Sequence, residues 1–230
     1  MIGIIIADYD EIKWSYLKKM VKPQKIEING FHFFLLNVHN KKIPLCLSGI
    51  GKANAAAAAA TMINNFKINA IFNLGLCGIS KSTIKISCPI IVKSVEYFDV
   101  DLTNFGYKKN QIPHEKTKVL IKKKYIEKLS TLLNTNNEKS IIGSIVSGDT
   151  IIAKKNINFF PNLKNKTVGV DMELMSIAQI CQKNQINVFS LKFVSDYVLG
   201  HKQHTTYQTS LKKLQKKITN FLIKFLLLSY

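Results

Sequence analysis

Pro44-Leu45-Cys46-Leu47-Ser48-Gly49-Ile50-Gly51-Lys52-Ala53-Asn54, followed by Ala55–Ala60, runs from an apolar stretch through a glycine turn into six consecutive alanines. Pro44–Leu47 is short and apolar, as a buried strand should be. Gly49 and Gly51 punctuate the turn. Alanine is the best helix former, and its small side chain lets a helix lie close against a sheet. A strand that turns directly into a close-packed helix is the unit of α/β architecture.

The same alternation continues on both sides. Towards the N-terminus, Ile2–Ala7 reads as a buried strand followed by a helix from about Asp10 to Val21. Lys25–Ile28 and Phe31–Val38 flank Asn29-Gly30, the strongest short hairpin signal. Towards the C-terminus, Ala70–Leu74 is a strand ending in Gly75-Leu76-Cys77-Gly78, and Pro89–Tyr97 is another. A loop from Phe98 to about His114 leads to a predicted helix over Val119–Leu133. Ile141–Ser147, Thr167–Val170 and Val188–Ser195 supply three more strands, with a helix over Met172–Gln182 between the last two. Leu211, Leu214, Ile218, Leu222, Phe225 and Leu228 then recur at helical spacing opposite a lysine-rich face. This order predicts an α/β chain, one domain over residues 1–230, with a mixed, twisted central sheet flanked by helices and no linker or internal repeat.

Composition excludes several classes. With 230 residues, 47% of them hydrophobic, the chain can bury a large core and is not a disordered polymer. The net charge of +19 suggests a nucleic-acid partner, but all 33 basic residues are lysine, without the arginine forks expected of a reader of phosphates and guanines. The lysines are scattered among isoleucines and asparagines, as a solvated surface would have them, so no nucleic-acid partner is expected. No window is apolar for the ~20 residues of a membrane helix, and no membrane association is expected. The start meets Asp8 too early for a secretion signal. Cys46, Cys77, Cys88 and Cys181 show no ligand-like spacing and read as reduced thiols of a cytoplasmic protein.

In open α/β sheets ligands collect beyond the carboxyl ends of strands. Polar residues recur at those ends here: Asp8–Glu11, Ser48–Gly51, Gly75–Gly78, Ser147–Asp149, Asp171–Glu173 and Ser195-Asp196. Asp171 could cap the following helix, with Glu173 favoured by its dipole. That reading does not explain the second acid at the neighbouring strand end, Asp196; two such acids could grip a sugar hydroxyl and a purine nitrogen. Asp8-x-x-Glu11 fits a capping box, which spacing alone favours. Ser48-Gly49-Ile50-Gly51-Lys52 lacks the glycine spacing and the Ser/Thr of a phosphate loop. His201 and His204 form an HxxH without an acidic partner, so no metal is expected.

Taken in order, seven segments resemble the 5′-methylthioadenosine/S-adenosylhomocysteine nucleosidases of the purine nucleoside phosphorylase superfamily. They are Gly3–Ala7 with Glu11, Ser48–Lys52, Asn73-Leu74-Gly75, Asp101–Tyr107 with Pro113, Val146–Asp149, Val170–Glu173 and Ser195-Asp196. The resemblance implies a nucleoside phosphorylase-like fold and hydrolysis of the N-glycosidic bond of both nucleosides, in methionine salvage and S-adenosylmethionine recycling. It implies a homodimer without cofactor, acting on a small purine nucleoside. By the same likeness Asp196 serves N7 of adenine and Glu11 deprotonates the attacking water. Ile151 and Ile152 hold the base, Glu173 binds the ribose hydroxyls, and Met172 packs on the sugar. Ile50 and Tyr207 line the 5′-thio pocket, which Leu102, Phe105 and Pro113 of a second subunit complete.

Three positions depart from the family's pattern. Leu76 stands where the pattern has serine, Lys192 where it has arginine, and Ile151 where many relatives stack an aromatic on adenine. The chain has no arginine for a phosphate dianion, and it places Glu11 where phosphorylases bind phosphate, which favours water as the nucleophile. The alternatives are a related purine nucleosidase or phosphorylase of other specificity, and a non-catalytic binder of adenine nucleosides.

Overall fold

The computed structural model describes residues 1–80, 83–135, 139–152, 157, 168–200 and 203–229. The predicted strand start at Thr167 and His201 of the HxxH pair lie outside them.

Among the described residues ten strands form one mixed sheet: β1 (Ile2–Ile6), β2 (Gln24–Ile28), β3 (Phe31–Val38), β4 (Lys41–Leu47), β5 (Ala70–Ile79), β6 (Pro89–Tyr97), β7 (Lys118–Leu120), β8 (Ile141–Ser147), β9 (Val168–Asp171) and β10 (Asn187–Tyr197). Their order is β10-β6-β8-β9-β5-β1-β4-β3-β2, with β7 on β6. Because β10 also pairs with β5, the strands β5, β9, β8, β6 and β10 close into a ring. The sequence does not reveal that closure, since it depends on pairings between distant segments. Among the described residues the helices are α1 (Trp14–Val21), α2 (Lys52–Asn65), α3 (Lys123–Asn134), α4 (Leu174–Lys183) and α5 (Gln203–Ser229).

The alanine helix behaves as its composition implies. Ala55, Ala58 and Ala59 are fully buried. The Asn29-Gly30 turn has φ of 51° and 79°, the left-handed pair that a two-residue hairpin loop needs. On the opposite side of the core, Phe72, Phe189 and Tyr125 form a stack with centroid spacings of 4.7 and 4.4 Å. Leu214, Ile218, Leu222 and Phe225 of α5 are fully buried, whereas Leu228 is 63% exposed and lies off the stripe.

Several predicted boundaries are corrected. The first helix begins at Trp14, not Asp10, because a separate 3-10 turn over Tyr9–Glu11 comes first. The strand at Pro44 starts at Lys41, pairing with Val38. β5 runs on through Gly75–Gly78 to Ile79, because β10 pairs with it along its whole length. The helix expected from Val119 starts at Lys123: Val119 pairs with Val95, and Lys118–Leu120 become β7. The helix expected from Met172 starts at Leu174.

Candidate active site

The C-terminal ends of β1, β5, β9 and β10 open into a cavity of about 400 Å³. Glu11, Ile50, Leu76, Ile151, Ile152, Met172, Glu173, Asp196 and Tyr207 all line it. Leu102, Phe105 and Pro113 do not; they lie on the connection between β6 and β7, where Phe105 is 77% exposed.

Glu11 does not complete a capping box. Asp8 caps the 3-10 turn, its Oδ1 accepting from the Asp10 amide at 2.9 Å. The Glu11 side chain turns inward, buried, where the Leu76 amide donates to it and its Oε2 has no partner among the described residues. Gly75 makes this possible, since a Cβ there would stand 2.6 Å from that Oε2. Burial pushes the Glu11 pKa up to about 8; Lys192 opposes the shift, and Glu173 and Asp8 add to it.

Lys192 sits in the middle of apolar β10 with its side chain fully enclosed, its Nζ 2.8 Å from Asp171 Oδ2. Burial works against the ammonium, but Asp171, Glu173 and Glu11 together outweigh it and raise its pKa. Asp171 also accepts from Ser147 Oγ at 2.5 Å and from the Leu174 amide at 3.2 Å. It therefore accepts from the first amide of α4 and holds Lys192. Glu173 is the acid of that pair that lines the cavity with capacity to spare. Its Oε1 accepts from the Gly51 amide at 3.0 Å and its Oε2 from the Met172 amide at 3.2 Å. Its pKa is raised by burial first and by Asp171 next.

The turn before α2 is occupied as well. The Lys52 amide donates to Asp149 Oδ1 at 2.8 Å, so the two amides that open α2 both face carboxylates of this chain. A helix N-terminus is otherwise a ready-made anion site. The Lys52 ammonium pairs with Asp99 at 2.7 Å.

Asp196 is placed by a β-bulge. Val194 is opposite Cys77 and Asp196 opposite Gly78, which leaves Ser195 as the extra residue. Bulges re-aim side chains next to sites of chemistry. Ser195 Oγ donates to Asp196 Oδ1 at 2.6 Å, and Gln203 Nε2 donates to Oδ2 at 2.9 Å. Gly78 leaves the room, since a Cβ there would lie 2.7 Å from Val198 and 3.1 Å from Asp196 Oδ2. Gln203 and the Asp171–Lys192 pair escape a reading by motif. A charge inside an apolar strand and glycines inside a strand pattern are the signals that mark such sites.

Residues 1–227 match the Phosphorylase superfamily, the class that this mixed sheet and its row of strand-end acids define. The 5′-methylthioadenosine/S-adenosylhomocysteine nucleosidase of Buchnera aphidicola subsp. Schizaphis graminum (strain Sg) is 36% identical over 197 residues, 85% of this chain and 83% of that protein. The chain belongs to the phosphorylase superfamily and, within it, to the 5′-methylthioadenosine/S-adenosylhomocysteine nucleosidases. Among solved structures it is similar to the nucleosidase of Neisseria meningitidis in complex with methylthio-immucillin-A, with a TM-score of 0.89, 25% identity and 98% of each chain covered. The futalosine hydrolase of Helicobacter pylori has the same fold, with a TM-score of 0.88 at 24% identity over 97% of this chain and 95% of that one.

Proposed function

We propose that the protein hydrolyses the N-glycosidic bond of 5′-methylthioadenosine and S-adenosylhomocysteine, releasing adenine and the 5′-thioribose. The observation that carries this reading is the convergence of Glu11, Glu173 and Asp196 on one 400 Å³ cavity. As the C1′–N9 bond breaks, positive charge develops on the ribose and negative charge on the base. Asp196, aimed by the Ser195 bulge, meets N7 and shares a proton with it as the base takes the bond's electrons. Glu173 receives the ribose hydroxyls. Glu11 takes a proton from the water whose oxygen bonds to C1′. Met172 packs on the sugar, Ile151 and Ile152 hold the base, and Ile50 and Tyr207 face the 5′ substituent.

Water is favoured over phosphate by the electrostatics of the cavity. Asp8, Glu11, Asp171, Glu173 and Asp196 line it, and no lysine does among the described residues. Lys52 and Lys192 are both paired, and the first amides of α2 are taken. A phosphate dianion would meet carboxylates without a cation fork to offset them. Incubation with methylthioadenosine, with and without phosphate, tests this. Free methylthioribose in both cases is the expected product; the 1-phosphate would make the protein a phosphorylase, and no adenine release a binder.

We further propose that two copies form a homodimer in the cytoplasm. The cavity rim carries Ile50 and Ile151 at 52% and 68% exposure, and Phe105 stands out from its own chain. A partner's Leu102, Phe105 and Pro113 would close that rim. Sedimentation at micromolar concentration should give a dimer; an active monomer would overturn this arrangement.

A further inference from the structure

The chain carries a net charge of +19, yet the described lining of its cavity holds five acids and no lysine. Four of those acids are accounted for: Asp171 by Lys192, and Glu11, Glu173 and Asp196 by the chemistry proposed above. Asp8 is not. It caps the Tyr9–Glu11 turn through Oδ1 alone, and among the described residues no cation pairs with it. Its place in the cavity follows from β1. The Gly49 amide donates to the Ala7 carbonyl at 3.0 Å, which sets Asp8 beside Ile50 at the rim. Tyr207 lies close enough to feel the charge of Asp8. Asp8 thus stands at the end of the cavity assigned to the 5′ substituent.

We propose that Asp8 is a specificity-determining residue, whose carboxylate pairs with the α-ammonium of the homocysteinyl group and selects S-adenosylhomocysteine over 5′-methylthioadenosine. The inference rests on the function proposed above. A methylthio group offers Asp8 nothing, whereas the amino-acid tail brings a cation to an anion that no cation pairs with among the described residues. Asp8 is only part-buried, so the pair is one that water and salt weaken.

The test uses the whole protein and both nucleosides. Asp8→Asn keeps a good N-cap side chain, so the turn that carries Glu11 is retained. The expected result is a fall of about two- to fivefold in the ratio of kcat/KM for S-adenosylhomocysteine to that for methylthioadenosine, the size of a part-exposed charge pair. The same loss should appear in the unsubstituted protein with an analogue whose tail lacks the amino group, and raising ionic strength should lower the ratio for the unsubstituted protein but not for Asp8→Asn. An unchanged ratio in Asp8→Asn, with both nucleosides cleaved by the unsubstituted protein, would overturn the assignment of Asp8 and leave the proposed function standing. If the unsubstituted protein releases adenine from neither, the function itself is wrong and the assignment falls with it.

Discussion

Glu11 and Asp196 line the same cavity under contrasting conditions. Both Asp196 oxygens hold hydrogen bonds, from Ser195 and Gln203. Glu11 has one oxygen without a partner among the described residues and a pKa pushed up to about 8 by burial. The same functional group is thus prepared for two tasks by what surrounds it. A carboxyl group held by two donors is oriented, as a residue that must direct a proton at one ring nitrogen should be. A desolvated carboxyl gains most from taking up a proton, as the acceptor from an attacking water must.

The largest effect should follow from breaking the oriented side. Asp196→Asn keeps a group that can hydrogen-bond N7 but cannot supply a proton. The expected loss in kcat is roughly 10³-fold or more, while an unreactive adenosine analogue still binds. A variant within about threefold of the parent would move the proton donor elsewhere.

The desolvated side is broken by Glu11→Gln, with an expected loss of roughly 10²-fold because glutamine cannot take a proton from water. Stability should move the other way. The folded-state pKa of about 8 lies above the ordinary 4.5, so the fold retains a proton that the unfolded chain releases between those values. The stability from that proton is present below about 4.5 and lost as pH rises through 8. Glutamine never ionises, so the variant's Tm should gain on the parent's across that range. Calorimetry at pH 5 and pH 8 beside adenine-release assays separates base from cap: a lower Tm with normal turnover would make Glu11 structural.

The row of strand-end acids is legible in the sequence because apolar runs stop at glycine or acid, and those stops mark one edge of a sheet. Which acid is free is not legible. Asp171 and Glu173 are two residues apart and chemically alike, yet Lys192 reaches only Asp171, across strands that pair far along the chain. The spacing of Asp8 and Glu11 favours a cap, and half of that reading stands: Asp8 caps, but Glu11 is drawn inward where Gly75 leaves space. Val119 reads as helix because its partner Val95 is distant in sequence. Ile152 and Met172 line the cavity, while the bulge at Ser195 and the Gln203 contact depend on the closing of β10 onto β5.

The smallest effect sharpens the contrast by making Glu11 more like Asp196. Leu76 lines the cavity next to Gly75, whose Cα faces the orphaned Glu11 oxygen, and its own amide already donates to Glu11. Leu76→Ser would offer a hydroxyl beside that oxygen. A hydrogen bond to the charged form lowers a carboxyl's pKa, and a donor in place of an apolar wall reduces desolvation. In the parent, kcat/KM should climb about tenfold per pH unit and level off near 8, as the ionised fraction of Glu11 does. In Leu76→Ser the midpoint should fall, and at neutral pH activity should rise by about two- to tenfold, the equivalent of one hydrogen bond worth ~0.5–1.5 kcal/mol. The loss of a buried leucine side chain costs stability at the same time, by roughly 2–4 kcal/mol. A pH profile superimposable on the parent's, together with a lower Tm, would mean that the hydroxyl does not reach Glu11 and that the pocket has repacked around leucine.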